Sequence, residues 1–150
     1  MKRFLCLLFA VSAFVLCQAQ VLSPSPRQMT PKDGSFVLSR KTWLYPDDTP
    51  GAKHTVLSLQ KFWITKFHKK LKANTFLPEK GNYIAFYGDS SLPQGACTIR
   101  MYPDRIEVRA SSEEGFARAE EILRQLLLWK KNPLYDIEDA PTDISVVRVA

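Results

Sequence analysis

The chain has 150 residues and a formal net charge of +6 at pH 7. A chain of this length can bury about two-thirds of its unfolded surface, which is enough for one hydrophobic core. The mild positive charge argues against a nucleic-acid partner, and three cysteines are too few for a disulfide framework.

The N-terminus has the pattern of a secretory signal peptide. Lys2 and Arg3 precede an apolar run of about 13 residues, which is too short to span a bilayer as a helix. Small residues at Cys17 and Ala19 predict cleavage before Gln20. We therefore expect an exported protein, periplasmic or extracellular, that is not held in the membrane after cleavage.

Lipid attachment at Cys17 is the alternative to plain cleavage. It is disfavoured because Leu16, the residue before the cysteine, is large. Cleavage would remove two basic residues and no acidic ones, so the net charge would fall to +4. Cys97 would be the remaining cysteine, and no internal disulfide is then expected.

The first half of the chain predicts short strands and one helix. Residues 20–33 contain three prolines and are expected to be an extended lead-in. Strands are predicted at 35–38 and 42–45, and a turn at 46–51 leads into an amphipathic helix. The apolar positions assigned to one face of this helix are Leu57, Leu59, Trp63, Ile64, Phe67 and Leu71.

A β-hairpin is the clearest strand pattern in the chain. Residues 82–87 predict a central strand, and residues 97–102 and 105–110 flank a Pro-Asp turn. The two-residue loop sets alternate apolar residues opposite one another and places Arg100 opposite Glu107 on the other face. One face of the hairpin is therefore expected to be buried and the other to be exposed to solvent.

A second helix follows the hairpin. Ser111 and Glu114 have the spacing of a capping box, and the helix is predicted to run to about Lys130. Residues 132–150 then form a tail with no obvious strand partner. Its apolar residues Ile144, Val146 and Val147 are expected to fold back as an edge strand or to join another chain.

This order of elements predicts a two-layer α+β domain. Half-polar strands favour a mostly antiparallel sheet with two helices packed on one face. The predicted organisation is a signal peptide over residues 1–19, a domain over residues 20–141, and a C-terminal tail over residues 142–150.

Nucleophiles and metal ligands show no catalytic pattern. His54 and His68 lie fourteen residues apart and belong to no H-E-x-x-H sequence, so both are interpreted as surface helix residues. Cys97 begins a strand at an apolar-facing position and is interpreted as a small buried hydrophobe. No metal site is predicted.

Acidic pairs give no catalytic pattern either. The pairs at 113–114 and 120–121 are explained by helix capping and a solvated helix surface, and Glu138 and Asp139 lie in the tail, where nothing is expected to enclose them. The glycines are scattered, so no phosphate loop is predicted. The sequence therefore predicts no catalytic residue and no cofactor.

Aromatic residues are the remaining candidates for ligand contact. Most are expected in the core, but the strand phase of Tyr102 points it to the wet face, where a sugar platform competes with ordinary cross-strand packing. The candidates are Trp43, Tyr45, Tyr87, Tyr102 and Trp129.

The order of several short motifs resembles a known domain. These are Pro24-Ser25-Pro26, Gly34-Ser35-Phe36-Val37-Leu38, Ile106-Glu107-Val108, Gly115-Phe116, Leu123-Arg124-Gln125-Leu126 and Ile137-Glu138-Asp139-Ala140-Pro141. Over roughly residues 22–141 they resemble the N-terminal domain of bacterial β-N-acetylhexosaminidases of glycoside hydrolase family 20.

The resemblance implies a non-catalytic, zincin-like α/β domain without a metal site, packed against a catalytic TIM barrel. In that family the barrel supplies an Asp-Glu dipeptide, and this chain contains none. The family's link into the barrel is also altered, because Thr142 and Asp143 follow Pro141. We therefore carry no sugar-binding role onto Arg148.

These features favour an accessory domain that occurs without its barrel, either free-standing or as the front piece of an interrupted gene. The alternative is a stand-alone periplasmic module that binds glycans or another protein. A third hypothesis, an active hydrolase, would need a site that the sequence does not display.

Export gives the first testable prediction. Protein produced in a Gram-negative host should have Gln20 as its N-terminus, because charge, apolar length and cleavage site agree. Intact-mass measurement checks this. A mass that retains Cys17 with acyl chains would contradict a soluble product.

Overall fold

The computed structural model describes residue 22, residues 25–128 and residues 131–141. The predicted signal peptide and the tail over 142–150 lie outside these residues. The elements in chain order are β1 Gln28–Val37, β2 Trp43–Pro46, α1 Pro50–Phe67, β3 Lys72–Ala73, β4 Tyr83–Gly88, β5 Cys97–Tyr102, β6 Arg105–Ala110, α2 Glu113–Leu126 and β7 Lys131–Asp139. Neither described helix is long and apolar enough to cross a membrane.

The strands form one seven-stranded sheet in the order β1-β7-β5-β6-β4-β2-β3. The pairings β1-β7, β7-β5 and β5-β6 are antiparallel, and β6-β4, β4-β2 and β2-β3 are parallel. The two-layer α+β prediction is confirmed. The sheet is mixed, because β2, β3 and β4 run in the same direction as β6.

The hairpin has the predicted bounds and register. Ile99 lies opposite Val108, and Arg100 lies opposite Glu107. The apolar members of the hairpin are buried beneath the helices, while Arg100 and Glu107 are on the other, helix-free face. Alternation and turn chemistry are local properties, so the sequence alone specifies this unit.

The prediction that the chain has no strand partner after residue 132 is wrong for residues 131–139. These residues form β7, an interior strand that pairs with β1 on one side and β5 on the other. Ile137 lies opposite both Met29 and Ile99. One proline and three acidic residues make β7 resemble a polar linker, but neighbouring strands and ion pairs accommodate them.

The predicted lead-in is also partly a strand. β1 begins at Gln28 and contains Pro31, which is tolerated because β1 is an edge strand. Its register shifts between Lys32 and Ser35, where Gly34 has a φ of 109°. That backbone conformation favours glycine, so Gly34 permits the bulge.

Helix α1 buries a different stripe from the predicted one. Ala52, Val56 and Leu59 are buried, but Leu57 is 57% exposed and Ile64 is 45% exposed. The predicted apolar face therefore includes residues on the flank of the helix. Gly51, in the first turn of α1, permits a close approach to α2, since a Cβ at Gly51 would lie 2.6 Å from the Phe116 ring.

The N-cap of helix α2 lies one residue later in the chain than predicted. Ser112, rather than Ser111, is the N-cap, and its Oγ accepts hydrogen bonds from the backbone N–H groups of Gly115 and Gly95. Ser111 instead donates to the Pro93 carbonyl oxygen. The helix ends at Leu126, before its predicted end.

The core lies between the helices and the sheet. Cross-strand register puts its strand residues on one face, and α1 and α2 cover them. Its largest fully buried side chains are Phe36, Phe86, Leu44, Leu59, Ile84, Ile99, Met101, Ile106, Leu123, Leu126, Leu127 and Ile137.

The cap gives a matched pair of substitutions. Ser112→Ala should lower the free energy of unfolding by about 1 kcal/mol, because two backbone donors lose their acceptor. Ser111→Ala should change it by less than about 0.5 kcal/mol, since Ser111 is exposed. Urea unfolding of both variants checks this, and an equal or reversed loss would contradict the cap assignment.

Candidate functional site

Cys97 is the first candidate nucleophile, and the structure buries it. The side chain is 1% exposed beneath the helices, which confirms the predicted small buried hydrophobe. Burial, reinforced by the nearby Asp139 carboxylate, raises the pKa of the Cys97 thiol to about 12. A thiol in this environment stays protonated and is a poor nucleophile.

The two histidines are exposed and lie on or just after α1, as predicted. His68 ends the helix in the left-handed conformation, with φ 55°. His54 borders a shallow cleft of about 120 Å³ with Glu120. The Glu120 carboxylate is held by Arg124 at 2.7 Å. Across the described ranges, no three His, Cys, Asp or Glu side chains converge to hold a metal ion.

Asp139 is enclosed, so the prediction that nothing surrounds it is wrong. Its side chain is 8% exposed, and its carboxylate accepts from the backbone N–H of Arg27 at 3.2 Å, that of Ala140 at 3.0 Å and Arg118 Nη1 at 3.4 Å. Glu138, the adjacent acid, lies 3.8 Å from Arg100 on the helix-free face. Successive strand residues point to opposite faces, so the two carboxylates cannot act as a pair.

The contacts of Asp139 form a clamp at one corner of the domain. Arg27 precedes β1, and its guanidinium also donates to the Pro141 carbonyl oxygen just after β7. Arg118 belongs to α2. The clamp therefore fixes the segments before β1 and after β7 side by side against the second helix.

The aromatic candidates lie outside the core, contrary to the prediction for most of them. Trp43, Tyr45, Tyr87 and Tyr102 are partly exposed on the helix-free face of the sheet, because the alternating neighbours such as Leu44 take the core side. Trp129 lies outside the described residues. The Tyr45 and Tyr87 rings are 6.1 Å apart, and the Arg109 guanidinium lies 4.8 Å from the Tyr87 ring.

Two cationic side chains lie over the ring of Tyr102. Lys32 Nζ is 4.3 Å and the Arg105 guanidinium is 4.0 Å from the centre of its ring. A sugar that stacked on a face of the ring covered by one of these cations would have to displace it. Arg105 is further fixed by Glu107 at 2.9 Å.

The outer surface of the helix layer is apolar in places. Leu57 and Ile64 are seven residues apart on α1 and so lie on the same side, about 10 Å from each other along the helix. Leu128, just beyond α2, is 45% exposed. Contiguous exposed apolar patches, rather than single exposed side chains, mark surfaces that contact another domain or protein.

Residues 19–140 match the protein family described as glycosyl hydrolase family 20, domain 2. The β-N-acetylhexosaminidase from Bacteroides fragilis is 25% identical, with a TM-score of 0.65 over 81% of this chain and 25% of its own. The enzyme of the same family from Streptomyces coelicolor A3(2) is 18% identical, with a TM-score of 0.67 over 79% of this chain and 26% of its own.

The family 20 exo-β-N-acetylglucosaminidase from Vibrio harveyi, solved in complex with N-acetylglucosamine, is 23% identical. Its TM-score is 0.61 over 82% of this chain and 19% of its own. The chain thus spans about a quarter or less of the length of these solved structures. No curated protein sequence matches it.

The buried thiol yields a prediction about pH and labelling. In protein beginning at Gln20, Cys97 should resist iodoacetamide under mildly alkaline native conditions and react in denaturing urea. Cys97→Ala provides the unlabelled control. Rapid labelling of folded protein would contradict the buried assignment.

The same thiol should make stability depend on pH. Its ordinary pKa is near 9 and its folded pKa is about 12, so the unfolded chain loses this proton first as pH rises. The free energy of unfolding should fall between those values. The Cys97→Ala variant should show a smaller fall over the same range.

Proposed function

The chain belongs to glycosyl hydrolase family 20 through its domain 2, and from this premise we propose that it is a non-catalytic accessory domain of a β-N-acetylhexosaminidase-type glycoside hydrolase. The observation that carries the proposal is the match of residues 19–140 to domain 2. In such an enzyme the catalytic groups would come from polypeptide outside these 150 residues.

The chemistry of the described residues supports a non-catalytic role. Cys97 is buried and protonated, Asp139 is held by Arg118 and backbone donors, and Glu120 is paired with Arg124. A family 20 site needs a free acid beside a carboxylate that orients the substrate's acetamido group. Asp139 and Glu120 serve instead as structural partners of cations and backbone N–H groups.

The accessory role requires a docking surface, and the helix layer supplies a candidate. Leu57 and Ile64 form an exposed apolar stripe on α1, and no strand or loop of the described chain buries them. Burying such side chains in an interface releases water and contributes roughly 1.5–3 kcal/mol for each fully buried side chain. A catalytic barrel or another protein is the proposed partner of this stripe.

Export is part of the proposal and rests on the sequence pattern alone. The leader over residues 1–19 would deliver the domain to the periplasm or outside the cell, where polymeric N-acetylated glycans are accessible to exported enzymes. Mass measurement of the mature N-terminus tests that component separately.

A stand-alone glycan-binding module is the second candidate. The observation in its favour is the pair of partly exposed tyrosines, Tyr45 and Tyr87, beside Arg109 on the helix-free face. Tyrosine and arginine are enriched at binding surfaces because they combine apolar area with hydrogen-bonding groups. Affinity electrophoresis in chitosan or peptidoglycan gels, with Tyr45→Ala as the comparison, separates this candidate from the first.

The accessory role predicts an inactive protein. The purified chain should not hydrolyse an aryl N-acetyl-β-glucosaminide above the buffer rate, while a full-length family 20 enzyme assayed in parallel does. Glu138→Gln is the informative variant, since Glu138 is exposed and its loss should leave the fold intact. Activity that persists through repurification and disappears in Glu138→Gln would refute the proposal.

A further inference from the structure

A groove of about 980 Å³ opens at the end of the domain where α1 finishes. We call it the basic groove. Side chains just after β1, in the last part of α1, in the segment after α1 and just beyond α2 form its apolar part. These are Leu38, Trp63, Phe67, Leu71, Leu127 and Leu128. The Trp63 and Phe67 rings are in contact, with centres 4.3 Å apart and planes tilted by 40°, which gives the groove an aromatic wall.

The polar lining of the basic groove that residues 25–128 and 131–141 provide consists of cations and one serine. Its charged residues are Arg40, Lys41, Lys69, Lys70 and Lys72. None of the described Asp or Glu residues lines the groove. Within the described ranges, the ion pairs of the domain join other basic residues, and none includes a cation of the groove. This is an uncompensated concentration of positive charge next to apolar surface.

The two kinds of lining come mostly from different segments. Arg40 and Lys41 lie in the turn before β2, Lys69 and Lys70 lie in the loop between α1 and β3, and Lys72 lies in β3 itself. These segments are neighbours because Trp43 of β2 lies opposite Lys72 of β3. Lys72 Nζ also lies 5.2 Å from the Trp43 ring. The ends of the two helices contribute Trp63, Phe67, Leu127 and Leu128, whereas Leu38 and Leu71 lie beside the cations along the chain. The groove therefore has an apolar side at the helix ends and an opposing side that carries the five cations.

We propose that the basic groove binds a long-chain carboxylate, with the carboxylate at the cations of the two loops and the chain against Trp63, Phe67 and Leu128. The groove volume is in the range of small-molecule sites. A ligand with one anionic head and one apolar tail matches the separation of the lining. This inference is independent of the accessory role.

Other occupants match the groove less well. A small phosphate ester would leave the apolar wall in water, and a neutral hydrocarbon would leave five cations without a counter-charge. An acidic amphipathic helix would carry its charges along its length, whereas the cations are gathered on two adjoining loops. The leader of this chain brings Lys2 and Arg3 and no acid, so it would be repelled.

The test uses the full chain after leader removal and palmitate below its micellar concentration as the probe. Displacement of a fluorescent fatty acid reports binding, with palmitic acid methyl ester as the uncharged comparison. Palmitate should bind at least about tenfold more tightly than the ester, and its binding should weaken at high salt because the head contact is electrostatic.

Two matched pairs of variants locate the site. Lys69→Glu/Lys70→Glu should weaken palmitate binding about tenfold or more, whereas Lys61→Glu/Lys66→Glu, with the same charge change on exposed positions of α1 outside the groove lining, should change it less than about twofold. Leu128→Gln should weaken binding, and Leu57→Gln, at a position that is also exposed but is not part of the groove lining, should not.

Several results would overturn the proposal. Equal binding of palmitate and its methyl ester, or equal effects of the two charge reversals, would remove the role of the cations. Binding of an acidic peptide without binding of palmitate would assign the groove to a protein partner. Binding to phosphatidylglycerol vesicles but not to monomeric palmitate would assign it to a membrane surface. Thermal unfolding of each variant verifies that the fold persists.

Discussion

The insertion of β7 between β1 and β5 is the constraint on which the rest of the structure depends. β7 is the last described strand in the chain but occupies the second position in the sheet. β1 and β5 are therefore joined in the sheet only through β7. It brings Ile137 into the core and Asp139 to the clamp with Arg27 and Arg118. Pairings this distant in sequence carry a large loop-closure cost, which only cooperative burial of the whole core offsets.

The sheet separates two surfaces with different chemistry. Beneath the helices, strand residues are apolar and buried. On the helix-free face, charges and aromatic rings satisfy one another across strands, as in the contacts of Arg100 with Asp136 and of Arg105 with Tyr102. Partly exposed pairs of this kind contribute little stability individually. Their effect is to give the face a fixed pattern of Tyr and Arg that is suited to recognition.

The accessory role proposed for this domain relies on its surfaces. The Cys97 thiol is buried, and the Asp139 carboxylate is occupied by hydrogen bonds. Two surface features are available for contact with another molecule: the apolar stripe of Leu57 and Ile64 and the cations of the basic groove. Both lie where another molecule can supply what the domain lacks.

The sequence predicts the parts of this fold that depend on neighbouring residues. The hairpin follows from period-two alternation around a Pro-Asp turn, and both helices follow from apolar spacing. The observed N-cap of α2, Ser112, is one residue after the predicted one, Ser111. Two adjacent serines have equal intrinsic capping ability, and the hydrogen bond that Ser112 accepts from Gly95 decides between them.

The rest depends on contacts between distant segments. The acids of β7 resemble a linker until Arg100, Arg118 and Lys32 are placed beside them. The basic groove could not be predicted for the same reason, since its lining comes from segments that are remote along the chain. From the sequence alone, Lys69 and Lys70 after α1 are interpreted as solvated surface residues. Only the fold brings them close to the aromatic wall of Trp63 and Phe67.

The role of β7 is tested most directly by urea unfolding of two shortened chains, residues 20–141 and residues 20–130. The longer one should unfold in a single cooperative transition. The shorter one, which lacks β7 and the Asp139 clamp, should show no cooperative transition and should expose its core to hydrophobic dyes. Cooperative unfolding of residues 20–130 with an unchanged midpoint would contradict the account.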